Sequence, residues 1–474
     1  MTKTILAIDI GSTKVCAAIA EIDDENNMTI TGKGEVKSQG VKKGIITNIE
    51  LASKSIRKAL SDARRIAGNN ISVATISISN AYARSLNSTG IVNIPHKDIS
   101  MKEIKRVMDT ALYNANIPNE YEVIHVLPYN FKVDDQDFIE DPYGMNASRM
   151  EVDVNIIITQ KSALSNLKKA VRSAGLDIEG IVLNSYASAI STMSEDEKEL
   201  GVAVIDMGGQ TSNLIVHIGN SVRYNDFLGV GSNHITNDLS MALHTPLQIA
   251  ENVKIRYGSL LEGSDETIEL PVIGDEENRN TISLEIVHSV IMARVEEALM
   301  LLAKSLDESA LREQIGAGVV LTGGMTKLKG MRELAQAVFH GMPVRIGIPR
   351  DLGGLSEEMK DPSYATVAGL LMYRSGEHTQ YEIDYTKTLL HHKDLPEAGL
   401  KDIELSTGKK EEDRLASVEK KEDSGTQRAR HEFGGSHEDE NDDREIFSFD
   451  DLPSLQKNEG GSFQKFLNWA KQLF

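Results

Sequence analysis

The stretch Ile8-Asp9-Ile10-Gly11-Ser12-Thr13-Lys14 closes an apolar run that begins at Thr4, and its chemistry returns about 197 residues later as Val204-Ile205-Asp206-Met207-Gly208-Gly209-Gln210-Thr211-Ser212-Asn213. Each is a strand that ends in an aspartate and turns on glycine. Glycine lets backbone amides approach a phosphate, Ser12 and Thr13 add hydroxyl donors, and Lys14 adds a charge. Asp9 and Asp206, at the strand ends, have the chemistry to hold Mg²⁺ through water, because magnesium keeps much of its hydration shell and takes few carboxylates. Read alone, either stretch is also the chemistry of an ordinary turn. Read as a pair, they describe two facing hairpin tips that clamp β- and γ-phosphates, with a carboxylate on each side of the metal.

Outward from these turns, apolar strand-like runs at 4–10, 71–79, 156–159, 202–206 and 318–322 alternate with helix-like stretches at 49–67, 161–174 and 284–304. That alternation predicts an α/β protein, and the repeated Asp-x-Gly chemistry suggests two related halves. A third glycine turn, Val320-Leu321-Thr322-Gly323-Gly324-Met325-Thr326-Lys327-Leu328-Lys329-Gly330, runs an apolar strand into a short helix and offers bare backbone to a purine. In Ile249-Ala250-Glu251-Asn252-Val253-Lys254-Ile255-Arg256-Tyr257-Gly258, Glu251 and Lys254 share one helical face. By themselves they read as a surface ion pair worth about half a kcal/mol or less.

In order and spacing, the three turns resemble the two phosphate motifs and the adenosine motif of the actin, Hsp70 and sugar-kinase superfamily. No Gly-x-x-x-x-Gly-Lys-Ser/Thr loop competes for the phosphates. The resemblance implies an actin-like ATPase fold, two lobes around a nucleotide cleft, with ATP and Mg²⁺ as ligands. Carried over residue by residue, it implies nucleotide contacts at Asp9, Gly11, Ser12, Thr13, Lys14, Asp206, Gly208, Gly209, Gln210, Thr211, Gly231, Glu251, Lys254, Gly323, Gly324, Met325 and Lys327. Asp9 and Asp206 would hold the magnesium through water, and Glu251 and Lys254 would approach the ribose and adenine. Asp361-Pro362-Ser363-Tyr364-Ala365-Thr366-Val367-Ala368-Gly369 resembles the second connecting helix, where the small Ala365 and Gly369 allow close packing at the hinge. The first connecting segment, Gly180-Ile181-Val182-Leu183-Asn184-Ser185-Tyr186-Ala187-Ser188-Ala189, departs from the pattern. Asn184 stands where the superfamily's chaperones place an acid near the attacking water. An amide orients water but accepts no proton as a base at neutral pH, so at most a slow ATPase is expected.

Between the phosphate turns, Glu122-Val123-Ile124-His125-Val126-Leu127-Pro128-Tyr129-Asn130-Phe131 leads to Asp141-Pro142-Tyr143-Gly144-Met145 and Arg149-Met150-Glu151-Val152. His125, on an apolar strand, reads as a satisfied structural histidine rather than a ligand. With the 231–258 segment, this region resembles the FtsA family of bacterial cell-division actin homologues. The family resemblance spans roughly residues 3–378 and returns at the extreme C-terminus. It implies lobe 1 from 1–81 and 164–200, an FtsA-type inserted subdomain at 82–163, a lobe 2 core from 201–226 and 306–380, and an outer subdomain at 227–305.

The 474 residues include 40% hydrophobic and 26% charged types, enough for a sizeable core. With 51 Lys and Arg against 71 Asp and Glu, the net charge of −20 argues against nucleic acid as a partner. Cys16 alone excludes a disulfide framework and fits a reducing compartment. The N-terminal run, broken by Asp9, reads as a strand rather than a signal peptide, and no stretch approaches the ~20 apolar residues of a membrane span. Residues 391–460 hold 11 basic and 20 acidic side chains, net −9, with only twelve Ile, Leu, Val, Phe, Met, Trp or Tyr. Such composition predicts a disordered acidic linker, placed at 381–461. Phe447-Ser448-Phe449-Asp450-Asp451-Leu452-Pro453-Ser454-Leu455 within it is either plain linker or a small docking motif.

At about 100° per residue, residues 462–474 gather Phe463, Phe466, Leu467, Trp469, Ala470, Leu473 and Phe474 within roughly 160° of a helix, opposite Lys465 and Lys471. At about 20 Å such a helix is too short to span a bilayer and would lie in the interface, its lysines toward anionic lipids. The FtsA resemblance then implies an ATP-binding filament former that tethers the tubulin-like division protein FtsZ to the cytoplasmic face of the inner membrane. It also implies self-association and recruitment of other division proteins by the inserted subdomain. The rival readings are a pilus-assembly actin homologue and a small-molecule kinase of the same superfamily.

Overall fold

In the computed structural model, residues 2–391 are described, apart from 220 and 262–265. The expected acidic spacer beyond 391, the 447–455 cluster and the 462–474 helix lie outside the described residues. Lobe 1 opens with β1 (Lys3–Ile10), β2 (Lys14–Ile22) and β3 (Met28–Lys37), a small hairpin of β4 (Val41–Lys42) and β5 (Ile45–Ile46), helix α1 (Ile49–Ala67) and β6 (Val73–Ile78). From Ile5 to Ile10 every β1 residue is buried, as a strand covered on both faces requires. Asn48 starts α1 by accepting the Leu51 amide at 3.0 Å, and Gly68 ends it in the left-handed region.

An inserted unit follows: β7 (Ala83–Asn93), α2 (Met101–Asn114), β8 (Tyr121–Val133), β9 (Gln136–Ile139) and β10 (Arg149–Gln160). Its strands form an antiparallel sheet in the order β7-β10-β8-β9, with α2 packed on one face around Val107, Met108 and Ile156. The chain returns to lobe 1 through α3 (Lys161–Ser173), β11 (Asp177–Leu183) and α4 (Asn184–Thr192).

Lobe 2 is introduced by the short α5 (Glu195–Leu200). It contains β12 (Val202–Met207), β13 (Ser212–Ile218), β14 (Ser221–Leu228), α6 (Ser232–Ala242), α7 (Leu247–Tyr257), β15 (Thr267–Val272), β16 (Asp275–Ser283), α8 (Leu284–Glu308), β17 (Gly318–Thr322), α9 (Met331–Val338) and β18 (Val344–Ile346). Finally α10 (Ala365–Ser375) packs back on α4 and β1. The two core sheets repeat one topology. Lobe 1 has the order β3-β2-β1-β6-β11 and lobe 2 the order β14-β13-β12-β17-β18. In each, three antiparallel strands are followed by two that run parallel to the first. This repeat gives structural form to the relation suggested by the two Asp-x-Gly turns.

Residues 381–391, read from composition as the start of the linker, belong to the folded body. Tyr381, Ile383 and Leu389 are buried in the core of the inserted unit. Ile383 exchanges backbone hydrogen bonds with Val126 at 2.9 and 3.0 Å, along the stretch of β8 that β9 leaves uncovered. The carboxylate of Glu382 is fully buried and accepts from His125 Nδ1 at 2.6 Å, Tyr373 Oη at 2.8 Å and Tyr186 Oη at 3.0 Å. The Leu183 amide donates to His125 Nε2 at 3.1 Å, which fixes the ring proton on Nδ1. His125 is therefore a satisfied structural histidine, and it links the insert, both helices α4 and α10, and the strap that follows them. A composition window misses this strap because a few apolar residues, spaced among polar ones, suffice to cover a surface built by other elements.

Candidate functional site

Each core sheet begins with a tight hairpin, and a glycine amide closes its turn. Gly11 donates to the Lys14 carbonyl at 3.0 Å and Gly208 to the Thr211 carbonyl at 2.8 Å. The two tips meet: a Cβ at Gly209 would overlap the Thr13 hydroxyl, so only glycine permits this approach. Asp9 and Asp206 lie just behind the tips, both buried. Ser77 at the end of β6 donates to Asp9 Oδ1 at 3.0 Å and accepts the Ile10 amide at 2.8 Å. Asp206 Oδ2 accepts from Ser188 of α4 at 2.7 Å and from Thr366 of α10 at 3.2 Å. Burial pushes the Asp9 carboxyl up to about 6, the Ser77 hydroxyl working against this and the Asp206 charge adding to it. Burial likewise raises Asp206, against the pull of Ser188 and Thr366. Two desolvated carboxylates on facing strand ends are an environment that a cation relieves.

The other expected residues lie at differing removes from this pair. Gly323, at φ 90°, lies where a Cβ would press on Asp206 Oδ1 and the Met207 carbonyl, so the third turn touches the second carboxylate. Gly324 sits beside Ser363, and Met325 is buried in the lobe 2 core. Gly231 packs under Gly208, Gly209 and Gln210, and the first amides of α6 bond to that turn: Ser232 to the Gly208 carbonyl at 3.0 Å and Asn233 to the Gly209 carbonyl at 2.6 Å. Lys254 is buried rather than on the surface, donating to Ser232 Oγ at 2.7 Å, Thr236 Oγ1 at 2.9 Å and Glu251 Oε2 at 2.8 Å. Glu251 and Lys254 thus join the site through α6. Lys327 is exposed and pairs with Asp361 at 2.6 Å. The Lys14 ammonium is held by Glu35 at 3.1 Å, with Ser363 at 3.3 Å and the Tyr364 ring centroid at 3.7 Å.

Sequence reasoning missed the residues that set the carboxylates. Ser188 and Thr366 fall inside the two connecting segments, yet nothing in a helix's own sequence says that its hydroxyl serves a strand end in the other lobe. Ser77 depends on the parallel pairing of β1 with β6. Also missed was the β4–β5 turn, where the Gly44 amide donates to Ser12 Oγ at 2.7 Å and the Lys43 amide to Gln210 Oε1 at 2.8 Å. At the start of α4, Asn184 Oδ1 is buried without a protein partner, an open acceptor of the kind a bound ligand or water completes. The residues present fit a hydrated divalent cation with phosphates: two carboxylates, glycine-turn amides and hydroxyls, and an orphaned amide oxygen.

Comparisons with known proteins agree with this geometry. A family profile described as "Cell division protein FtsA" matches residues 203–369, and one described as "SHS2 domain inserted in FTSA" matches residues 80–158. The cell division protein FtsA of Helicobacter pylori strain 26695 is 38% identical over 420 residues, covering 82% of this chain and 85% of that protein. That of Pseudomonas aeruginosa is 38% identical over 374 residues, covering 78% and 89%. That of Escherichia coli K12 is 31% identical over 394 residues, covering 81% and 93%. Among solved structures, the PilM-PilN type IV pilus biogenesis complex superposes with a TM-score of 0.56 at 17% identity, over 78% of this chain and 98% of that one, a likeness of fold. With identities of 31–38% over most of each relative and both profiles placed on the lobe 2 core and the insert, the chain belongs to the FtsA family of cell-division proteins and has its actin-like ATPase fold.

Proposed function

We propose that the chain is a nucleotide-dependent scaffold at the cytoplasmic face of the bacterial inner membrane, binding MgATP between its lobes, polymerising, and tethering FtsZ through residues 462–474. The observation that carries this reading is the junction of the two hairpin tips over Asp9 and Asp206, with Asp206 bonded to both connecting helices. A nucleotide held there touches both lobes, and the helices that set the lobe angle share hydrogen bonds with the metal-side carboxylate. Asp9 and Asp206 would hold the water shell of Mg²⁺, which supplies charge neutralisation at the phosphates. Asn184 can orient a water but not deprotonate it, so turnover is slow.

On the inserted unit, Tyr113 and Phe138 are 87% and 76% exposed, which supports this unit as the docking place for other division proteins. Among the described residues no helix is long and apolar enough to cross a membrane. A helix over 462–474, as its sequence pattern predicts, would bind lipid modestly, and a filament would multiply its avidity.

Sedimentation with anionic liposomes, with and without ATP and FtsZ, tests the tether. The full chain is expected to co-sediment and to carry FtsZ with it; removing 462–474 should abolish vesicle binding and spare MgATP binding. Undiminished sedimentation of the truncated chain would sink the tether reading, and vesicle binding without FtsZ binding would favour the pilus-assembly alternative.

A further inference from the structure

The lysines expected to contact the nucleotide are already engaged with carboxylates: Lys14 of the first phosphate turn with Glu35, and Lys254 and Lys327, expected on the adenosine side, with Glu251 and Asp361. Yet the junction of the two turns holds two buried carboxylates and, on the nucleotide reading, also receives an anionic ligand. Lys43 is different. Among the described residues it forms no ion pair, and it lies at the tip of the β4–β5 turn, whose backbone amides bond side chains of both phosphate turns, Gln210 and Ser12.

Its backbone adopts φ 46° and that of Gly44 φ 77°, the left-handed pair that a two-residue hairpin turn requires, which fixes Lys43 at the tip. The side chain crosses from lobe 1 to lobe 2: a Cβ at Gly229 would lie 3.8 Å from the Lys43 ammonium. Gly229 lies two residues before Gly231, which backs the second phosphate turn. His234, at the start of α6, also feels this charge; burial first, and then Arg294 and Lys43 against the Gly231 hydrogen bond, hold it below its ordinary pKa. A lysine ammonium is a compact point charge suited to phosphate oxygens.

We propose that Lys43 is the cation that receives the terminal phosphate of a nucleoside triphosphate, so that the β4–β5 turn distinguishes triphosphate from diphosphate. The assignment rests on the cleft being a nucleotide site. It is tested by equilibrium binding of MgATP and MgADP to the full chain, as wild type and as Lys43→Ala, Lys43→Arg and Lys42→Ala, with thermal melting without nucleotide as the check on folding. Lys43→Ala should weaken MgATP binding about tenfold and leave MgADP within about twofold. Lys43→Arg should keep most of the triphosphate preference, Lys42→Ala should bind like wild type, and all three should melt like wild type. Equal losses for the two nucleotides, no loss, or the same loss in Lys42→Ala would overturn the role of Lys43 while leaving the nucleotide site standing. Wild type that binds neither nucleotide would overturn the cleft reading itself.

Discussion

Asp206 takes one hydroxyl hydrogen bond from each connecting helix, which makes a single carboxylate sensitive to both. Ser188→Ala should therefore cost about 1–3 kcal/mol in urea unfolding, the range for stripping a partner from a buried charged acceptor. Asp206→Ala should weaken MgATP binding tenfold or more, on the order of 1.4 kcal/mol or above; unchanged affinity would remove this carboxylate from the site. A second residue-scale prediction concerns pH. Burial, with the Lys198 charge adding, holds His217 down to about 3 from its ordinary 6.5, against backbone hydrogen bonds to Lys198 and Gly219. Between those values the unfolded chain binds a proton that the folded one refuses, so stability from this group rises with pH and is lost on acidification. His217→Gln should flatten the stability profile between about pH 4 and 6 by up to about 1.4 kcal/mol per pH unit, measured by denaturant melts across that range. At this scale the sequence showed the aspartates and glycines, whose chemistry is local, and hid Ser77, Ser188 and Thr366, whose roles are created by contacts with other elements.

Among elements, the decisive contact is the crossing of α4 and α10. A Cβ on Gly369 would overlap the Ala187 carbonyl, and the Ser188 and Thr366 hydroxyls meet at 2.9 Å beside it. Gly369→Ala should push the helices apart, cost about 1–3 kcal/mol and weaken MgATP binding as Asp206 loses its frame; urea melts and nucleotide titration check both. The strap gives a second prediction. Ending the chain after Gly376 removes Glu382 from His125, Tyr186 and Tyr373, and should destabilise the body by about 3 kcal/mol or more, whereas ending it after His391 should leave thermal melting of the body unchanged. Periodicity found helices that bury their own faces: 284–304 was expected and Leu284–Glu308 is observed. It had no access to a strap whose burial depends on β8 and on two helices distant in sequence.

For the whole molecule, the repeated sheet topology places two equivalent strand ends face to face, so the meeting of the two aspartate-bearing turns follows from the fold rather than from added loops. The insert also reaches lobe 2: Asn155 donates to the Arg223 carbonyl at 3.2 Å, and the Arg223 guanidinium stacks on Tyr129 at 4.0 Å. MgATP bridging the lobes should stabilise the fold by about 2.7 kcal/mol at a hundredfold excess over Kd, read as a raised melting transition, and Asp206→Ala should lose that gain. The strap has a mechanical consequence. A pull on the chain beyond residue 391 loads Leu389 and the Ile383–Val126 bridge before it reaches Tyr373 on α10. On the proposed tether reading, the insert would act as a cable clamp, taking up tension ahead of α4 and α10, so that a load on the tail would reach the Asp9–Asp206 site last.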